Sequence, residues 1–151
     1  MRNYILIMEK SFEKARKQIQ KAVKENKKII FSSNDDELNR KILEKEKIDV
    51  LLLNQSDRKD RQKQRNSGFN QVFAKLAKQN DVTIGINIDE IIEAKEKADI
   101  LARIKQNVKL CNKNKLKMKF IVINPKNQRN LYDLKSLGLV LSMPTWMTKN
   151  L

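Results

Sequence analysis

The sequence predicts an α/β fold with about six mainly parallel strands, in a single domain covering residues 1-151. Three observations predict it. Short runs rich in β-branched residues and leucine recur along the chain. The segments between them carry apolar residues at helical spacing. Strand and helix alternate without interruption, which implies βαβ units, right-handed crossovers and a mainly parallel sheet.

The first strand is Tyr4–Met8, after which Phe12, Ala15, Ile19, Ala22 and Val23 form a helical stripe. The Met1–Met8 stretch has no small-residue cleavage site, so it reads as a strand and not a signal peptide. Lys28–Ser32 is the second strand. Ser33, Asn34 or Asp35 then caps a helix carrying Leu38, Ile42 and Leu43. Asp49–Leu53 is the third strand. It leads into Asn54–Asn66, the longest stretch without a periodic pattern, expected to be unstructured. A helix after Ser67-Gly68 places Phe69, Val72, Phe73 and Leu76 on one face. Val82–Ile86 is the fourth strand. A helix beginning near Asp89 or later carries Leu101, Ile104, Val108 and Cys111. Lys119–Ile123 is the fifth strand. A short helical turn over Leu131–Leu137 ends at Gly138, Gly138–Ser142 is the sixth strand, and Pro144 opens a last helix. Each strand is apolar nearly throughout, which suits coverage on both faces. The pattern fits an open doubly wound sheet or a barrel. Six units are too few for a full eight-stranded barrel of about 200 residues or more. No glycine-rich loop follows a strand, which argues against a nucleotide-binding Rossmann sheet.

The totals restrict the chemistry. The chain has no histidine, so it has no Ser–His or Cys–His nucleophile pair and no imidazole base or metal ligand. The single Cys111 excludes an intramolecular disulfide and points to a reducing, cytoplasmic setting. No apolar run approaches the length of a membrane span, and no membrane partner is expected. Net charge is +15, a field that attracts polyanions. Part of that excess follows from a Lys-, Asn- and Ile-rich composition.

The strongest local signal is Arg58–Arg65. Five of these eight residues are basic: Arg58, Lys59, Arg61, Lys63 and Arg65. The whole chain holds only 8 Arg among 33 basic residues, and three of the 8 are here. Arginine forks and the free amides of the following helix start both suit phosphate oxygens. The expected role is RNA binding by charge. The alternative is a solvated, flexible loop. A second basic stretch, Lys105, Lys109, Lys113, Lys115, Lys117 and Lys119, has no acid between Ile104 and Phe120. It is better explained as a solvated helix face and a C-terminus complementing the helix dipole.

Three strands end in Asn54, Asn87 and Asn124, where parallel sheets carry functional loops. Turn preference of asparagine explains them as well as a ligand mouth does. Glu9, Asp89 and Glu90 lie near the same ends, and a shared metal is the weaker reading. No exposed aromatic platform is evident among Phe12, Phe69, Phe73 and Phe120, which argues against base reading. Trp146 and Cys111 are expected to pack.

Asn66-Ser67-Gly68-Phe69-Asn70-Gln71-Val72-Phe73-Ala74-Lys75-Leu76-Ala77, then Val82–Ile88 and Ile91-Ile92, resembles the thirty-kilodalton subunit family of archaeal and eukaryotic ribonuclease P, called protein component 3 in archaea. Tyr132–Met143, and Ser33-Asn34-Asp35 with Arg40, are similar to further family segments. Gln71 stands where many members carry His, and Ser142 where many carry Gly. Members are longer at the N-terminus by about two βα units.

The resemblance implies an incomplete (β/α) TIM-barrel-like fold, related to metal-dependent phosphoesterases but without their ligands. It implies no catalytic residue, cofactor or metal of its own, and a supporting role for a catalytic RNA in 5′ maturation of precursor tRNA. Expected partners are ribonuclease P RNA, precursor tRNA and a small α/β protein subunit, as a heterodimer or dimer of heterodimers. Expected RNA-binding residues are Arg58, Lys59, Arg61, Lys63 and Arg65, then Arg40, Lys78 and Arg129 beside family-like segments. The alternatives are a stand-alone metal-dependent phosphoesterase of the same superfamily and a basic RNA-binding protein of ribosomal type.

Overall fold

The computed structural model describes residues 3–151. It is an α/β fold with a five-stranded sheet and, among the described residues, seven α-helices. The elements are β1 (Tyr4–Met8), α1 (Phe12–Lys24), β2 (Lys28–Ser32), α2 (Asp36–Lys45), β3 (Val50–Leu53), α3 (Gln71–Gln79) and β4 (Thr83–Asn87). They continue with α4 (Ile88–Glu93), α5 (Lys97–Lys113), β5 (Met118–Ile121), a 3-10 turn (Pro125–Asn127), α6 (Leu131–Val140) and α7 (Thr145–Thr148).

All strands are parallel, in the spatial order β1-β2-β3-β4-β5. A sequential order with right-handed crossovers puts every connecting helix on one face. The packing agrees. Ile7, Ile29, Phe31, Leu51, Leu53, Ile84, Ile86, Met118 and Phe120 point to the helices and join the main core. Alternate residues Ile30, Val50, Leu52 and Ile121 form a separate cluster on the other face, with Tyr4 and Leu6 against it. The expectation of strands covered on both faces thus needs a qualification: helices cover one face, and the sheet covers the other by curling. Lys119 of β5 lies over the Tyr4 ring of β1, 5.6 Å from its centroid, although three strands separate them. Lys28 sits over the same ring at 5.7 Å. At the centre of this inner face, Gly85 makes room for its neighbours. A Cβ there would lie 3.0 Å from Val50 Cγ1 and 3.1 Å from Ile121 Cγ1. Edge strands β1 and β5 do not pair with each other, so the sheet is not closed.

The sixth strand is absent. Gly138–Val140 instead continues α6, with Leu139 and Val140 exposed and Gly138 buried against Met143, Thr148 and Leu151. The run is apolar on both sides because the helix buries one side and presents the other to solvent. The single helix expected after Asp89 is two, α4 and α5, separated by extended backbone at Ala94. Pro144 is the N-cap of α7 and not its first helical residue. Phe69 precedes α3, and Val72 of that helix is half exposed, so the core face of α3 is Phe73, Ala74 and Ala77.

Candidate nucleic-acid interface

The segment between β3 and α3 is held from three sides, not unstructured. From the α2 side, Arg58 forms a two-pronged pair with Asp36: Nη1 to Oδ2 at 2.9 Å and Nη2 to Oδ1 at 3.0 Å. Its Nε donates to the Asn54 carbonyl at 2.6 Å, and Nη1 also reaches Asn66 Oδ1 at 3.3 Å. The Arg58 side chain is only 9% exposed. Its guanidinium lies directly over Gly68, whose φ is +71°, and a Cβ at that position would come within 2.4 Å of Nη2. Gly68 is therefore required twice, by backbone conformation and by the arginine stacked on it.

From the α5 side, Arg103 reaches into the segment. Its Nε donates to Asp60 Oδ1 (3.0 Å), Nη1 to the Gln55 carbonyl (3.0 Å) and Nη2 to the Arg58 carbonyl (2.8 Å). One turn on, Asn107 Nδ2 donates to the Ser67 carbonyl, which also accepts Gln55 Nε2 at 2.9 Å. The two ends of the segment, Gln55 and Ser67, are thus joined directly. Asp60 closes the middle by accepting the Asn66 amide at 2.8 Å. The Arg103 guanidinium first, and then the Asn66 amide, hold the Asp60 carboxyl below the usual carboxylate range. From the α4 side, both oxygens of Glu90 accept amides, those of Gln55 and Ser56.

Between these anchors Arg61 and Gln64 exchange two backbone hydrogen bonds, making a tight hairpin with Gln62-Lys63 at its tip. This geometry leaves Lys59, Arg61, Lys63 and Arg65 exposed. Arg65 has a loose pairing with Asp60 at 3.8 Å. Arg61, Lys63 and Arg65 border a cleft of about 760 Å³ together with Asn70, Gln71 and Gln106, and with the carboxylates Asp36 and Glu37 of α2. Asn70 caps α3 through Phe73 N–H, at the edge of that cleft. The arrangement presents several cations and amides on one held frame, and such a surface suits a polyanion with spaced oxygens.

The other expected RNA-binding residues are not gathered here. Arg40 is exposed on α2. Lys78 lies at the far end of α3, where its Nζ donates to the Lys115 carbonyl beside the N-terminal ends of β4 and β5. Arg129 is exposed after the 3-10 turn and borders a small cleft with Asp133. Arg58 belongs to the frame, with its fork turned onto Asp36. Arg103 and Asp60 are functional candidates that reading the loop alone misses. A signal was present: Arg103 and Asn107 sit in the buried stripe Ile100, Ile104, Val108 and Cys111, where polar residues need partners.

At the C-terminal strand ends two of the three asparagines, Asn54 and Asn87, form part of a relay. Asn87 Nδ2 donates to Asn54 Oδ1 (2.9 Å), and Asn54 Nδ2 donates to Ser32 Oγ (3.1 Å). Asn124 is not in that relay; it caps the 3-10 turn and donates to Glu93. Asp89 accepts the Ile123 and Asn124 amides and Asn127 Nδ2, while Glu90 accepts from the basic segment. Glu9 accepts from Gln18. The three carboxylates thus serve separate hydrogen-bonding partners, and among the described residues no group of three or more His, Cys, Asp or Glu is placed to hold a metal ion. Burial pushes the Cys111 thiol up, which removes it as a nucleophile. Trp146 packs partly and donates to Asn112 at 3.0 Å. No helix of the described residues is long and apolar enough to cross a membrane.

No family model and no curated protein matches the chain. Its fold is similar to that of a chain in the cryo-EM structure of archaeal ribonuclease P with mature tRNA, with a TM-score of 0.75 and 24% identity. The match covers 97% of this chain and 62% of the other, so the present chain spans less than two thirds of that neighbour's length.

Proposed function

We propose that this chain is a non-catalytic protein subunit of a ribonuclease P, of the thirty-kilodalton family, that supports a catalytic RNA through charge. The observation that carries the reading is the place of the held basic loop. It stands immediately before Asn66–Ala77, the stretch that resembles the family, on a fold similar to that of a chain in a ribonuclease P complex with tRNA. The curled, sequential sheet is read as five strands of a TIM-barrel-like wall. Its edge strands β1 and β5 do not pair with each other, and the protein partner that the resemblance implies is a small α/β subunit.

The mechanism is electrostatic. Arg61, Lys63 and Arg65, with Lys59 beside them, neutralise closely spaced phosphates and lower their repulsion in the folded RNA. Arg40 and Arg129 extend the contact at lower weight, and Lys78 belongs to a separate basic area near Lys115 and Lys117. Arg58 contributes by shaping the loop. The location implied is the cytoplasm, with precursor tRNA as the substrate of the whole assembly.

The test is capture of tagged full-length protein from its own cells, followed by sequencing of the bound RNA. The reading expects one dominant RNA that, with the captured proteins, removes the 5′ leader from precursor tRNA. A broad yield of ribosomal RNA would favour the ribosomal-type alternative. Metal-stimulated phosphoester hydrolysis by the protein alone, lost on changing Asp89 or Glu90, would favour the phosphoesterase alternative.

A further inference from the structure

We propose that Arg103 and Asp60 are positioning residues for RNA binding: a buried cation on α5 and its carboxylate partner fix Arg61, Lys63 and Arg65 in a phosphate-ready arrangement without touching RNA themselves. This rests on the reading of the loop as an RNA-binding surface.

The geometry assigns the role. Arg103 donates at three points spread along the segment, the carbonyls of Gln55 and Arg58 and the carboxylate of Asp60. Asp60 passes the constraint on to the return strand through the Asn66 amide. Arg61–Gln64, the hairpin carrying Arg61 and Lys63, lies between Asp60 and Asn66, and just beyond it the Arg65 carbonyl accepts from Gln106 Nε2 of α5 at 3.5 Å. Arg103 is 7% exposed and cannot reach a bound polyanion, whereas Asp60 is 27% exposed. A loop ordered in advance does not lose backbone entropy on binding, so affinity rises without new contacts. The Arg103 fork serves two carbonyls and a carboxylate at once, which a lysine cannot reproduce.

The discriminating variant is Asp60→Ala. It removes one negative charge from beside the cationic loop, so charge alone predicts tighter RNA binding. Positioning predicts weaker binding, by about tenfold, the effect of roughly 1.4 kcal/mol. Asp60 lies at the surface side of the pair, so the fold survives this change. Arg103→Lys is the companion, since it keeps the charge and loses the fork. Both are measured against a structured RNA such as a tRNA transcript, over a range of salt, with amide exchange at Asn66.

The proposal expects both variants to bind more weakly, with an unchanged slope of log affinity against log salt and faster exchange at Asn66. Equal or tighter binding by Asp60→Ala, or wild-type binding by Arg103→Lys despite fast exchange at Asn66, overturns it. The control is the triple change of Arg61, Lys63 and Arg65 to Ala. If that triple binds like wild type, the RNA-binding reading itself fails; if only it weakens binding, the reading stands and positioning fails.

Discussion

Two cationic regions of this molecule differ in how their charge is held. In Arg58–Arg65, Arg58 turns inward and Arg103 reaches in from α5, together building a frame, and the remaining basic residues stand outside it on or beside a hairpin. In Lys105–Lys119 the charges lie along α5, the turn that follows and the start of β5. Four of the six lysines there are exposed with no named partner. Lys115 packs over Trp146 at 5.5 Å, and Lys119 over Tyr4. Similar numbers of charges thus stand on a pinned loop in one case and along a helix, its following turn and a strand start in the other. Flexible lysines surrender rotamer freedom when they bind, while a held array surrenders less. The comparison singles out arginine content and buried anchoring, not charge count, as what sets the loop apart.

The frame breaks most readily at Gly68. Gly68→Val places a branched side chain at a positive φ and into the Arg58 guanidinium. We expect destabilisation of about 3 kcal/mol, combining backbone strain with disturbance of the Arg58–Asp36 pair. Urea unfolding measures it, and a variant as stable as the wild type would show that the guanidinium packing carries no weight. Arg58→Ala follows at about 2 kcal/mol, below the value for a fully buried pair because Asp36 is 37% exposed. By contrast Lys113→Ala, on the lysine-rich region, is expected within about 0.5 kcal/mol of wild type.

Acid gives a graded way to loosen the frame. Asp60 has a depressed folded-state pKa, so its contribution is fully present above the unfolded value of about 3.9. It is lost as pH falls further, through the folded value. Exchange protection at the Asn66 amide should therefore collapse below about pH 4 in the wild type. In Asp60→Ala that protection should already be low at neutral pH. Unchanged Asn66 protection through that acid range would remove Asp60 from the frame. The smallest effect belongs to the lysine-rich region. Lys115→Ala removes an exposed cation–π contact and should cost about 0.5 kcal/mol, with a shift in Trp146 fluorescence. A loss several times larger would mean that this region is structurally anchored after all.

Much of the fold was legible because its cause is local. Leucine and β-branched runs mark β1 to β5, and Asp35 and Asn70 cap helices as their side chains favour. Gly138–Ser142 misled because a helix with one exposed apolar side has the same composition as a buried strand. The site was half legible. The arginine cluster stood out, but its division into inward and outward members depends on Asp36, 22 residues away, and on Arg103, 43 residues from Asp60. Such long-range partners leave only a weak trace, here the polar Arg103 and Asn107 within an apolar stripe. The curling of the sheet had no local signal at all.

The central claim is tested most directly by two triple-alanine variants measured side by side on one structured RNA. One replaces Arg61, Lys63 and Arg65; the other replaces Lys105, Lys109 and Lys113. The account predicts that the first weakens binding at least tenfold and makes the slope of log affinity against log salt shallower by roughly two to three, about one phosphate contact per residue. It predicts that the second changes the slope by less than about one. Equal effects of the two variants, or a larger effect of the second, would contradict the account, because charge would then act wherever it lies and the held loop would have no special part.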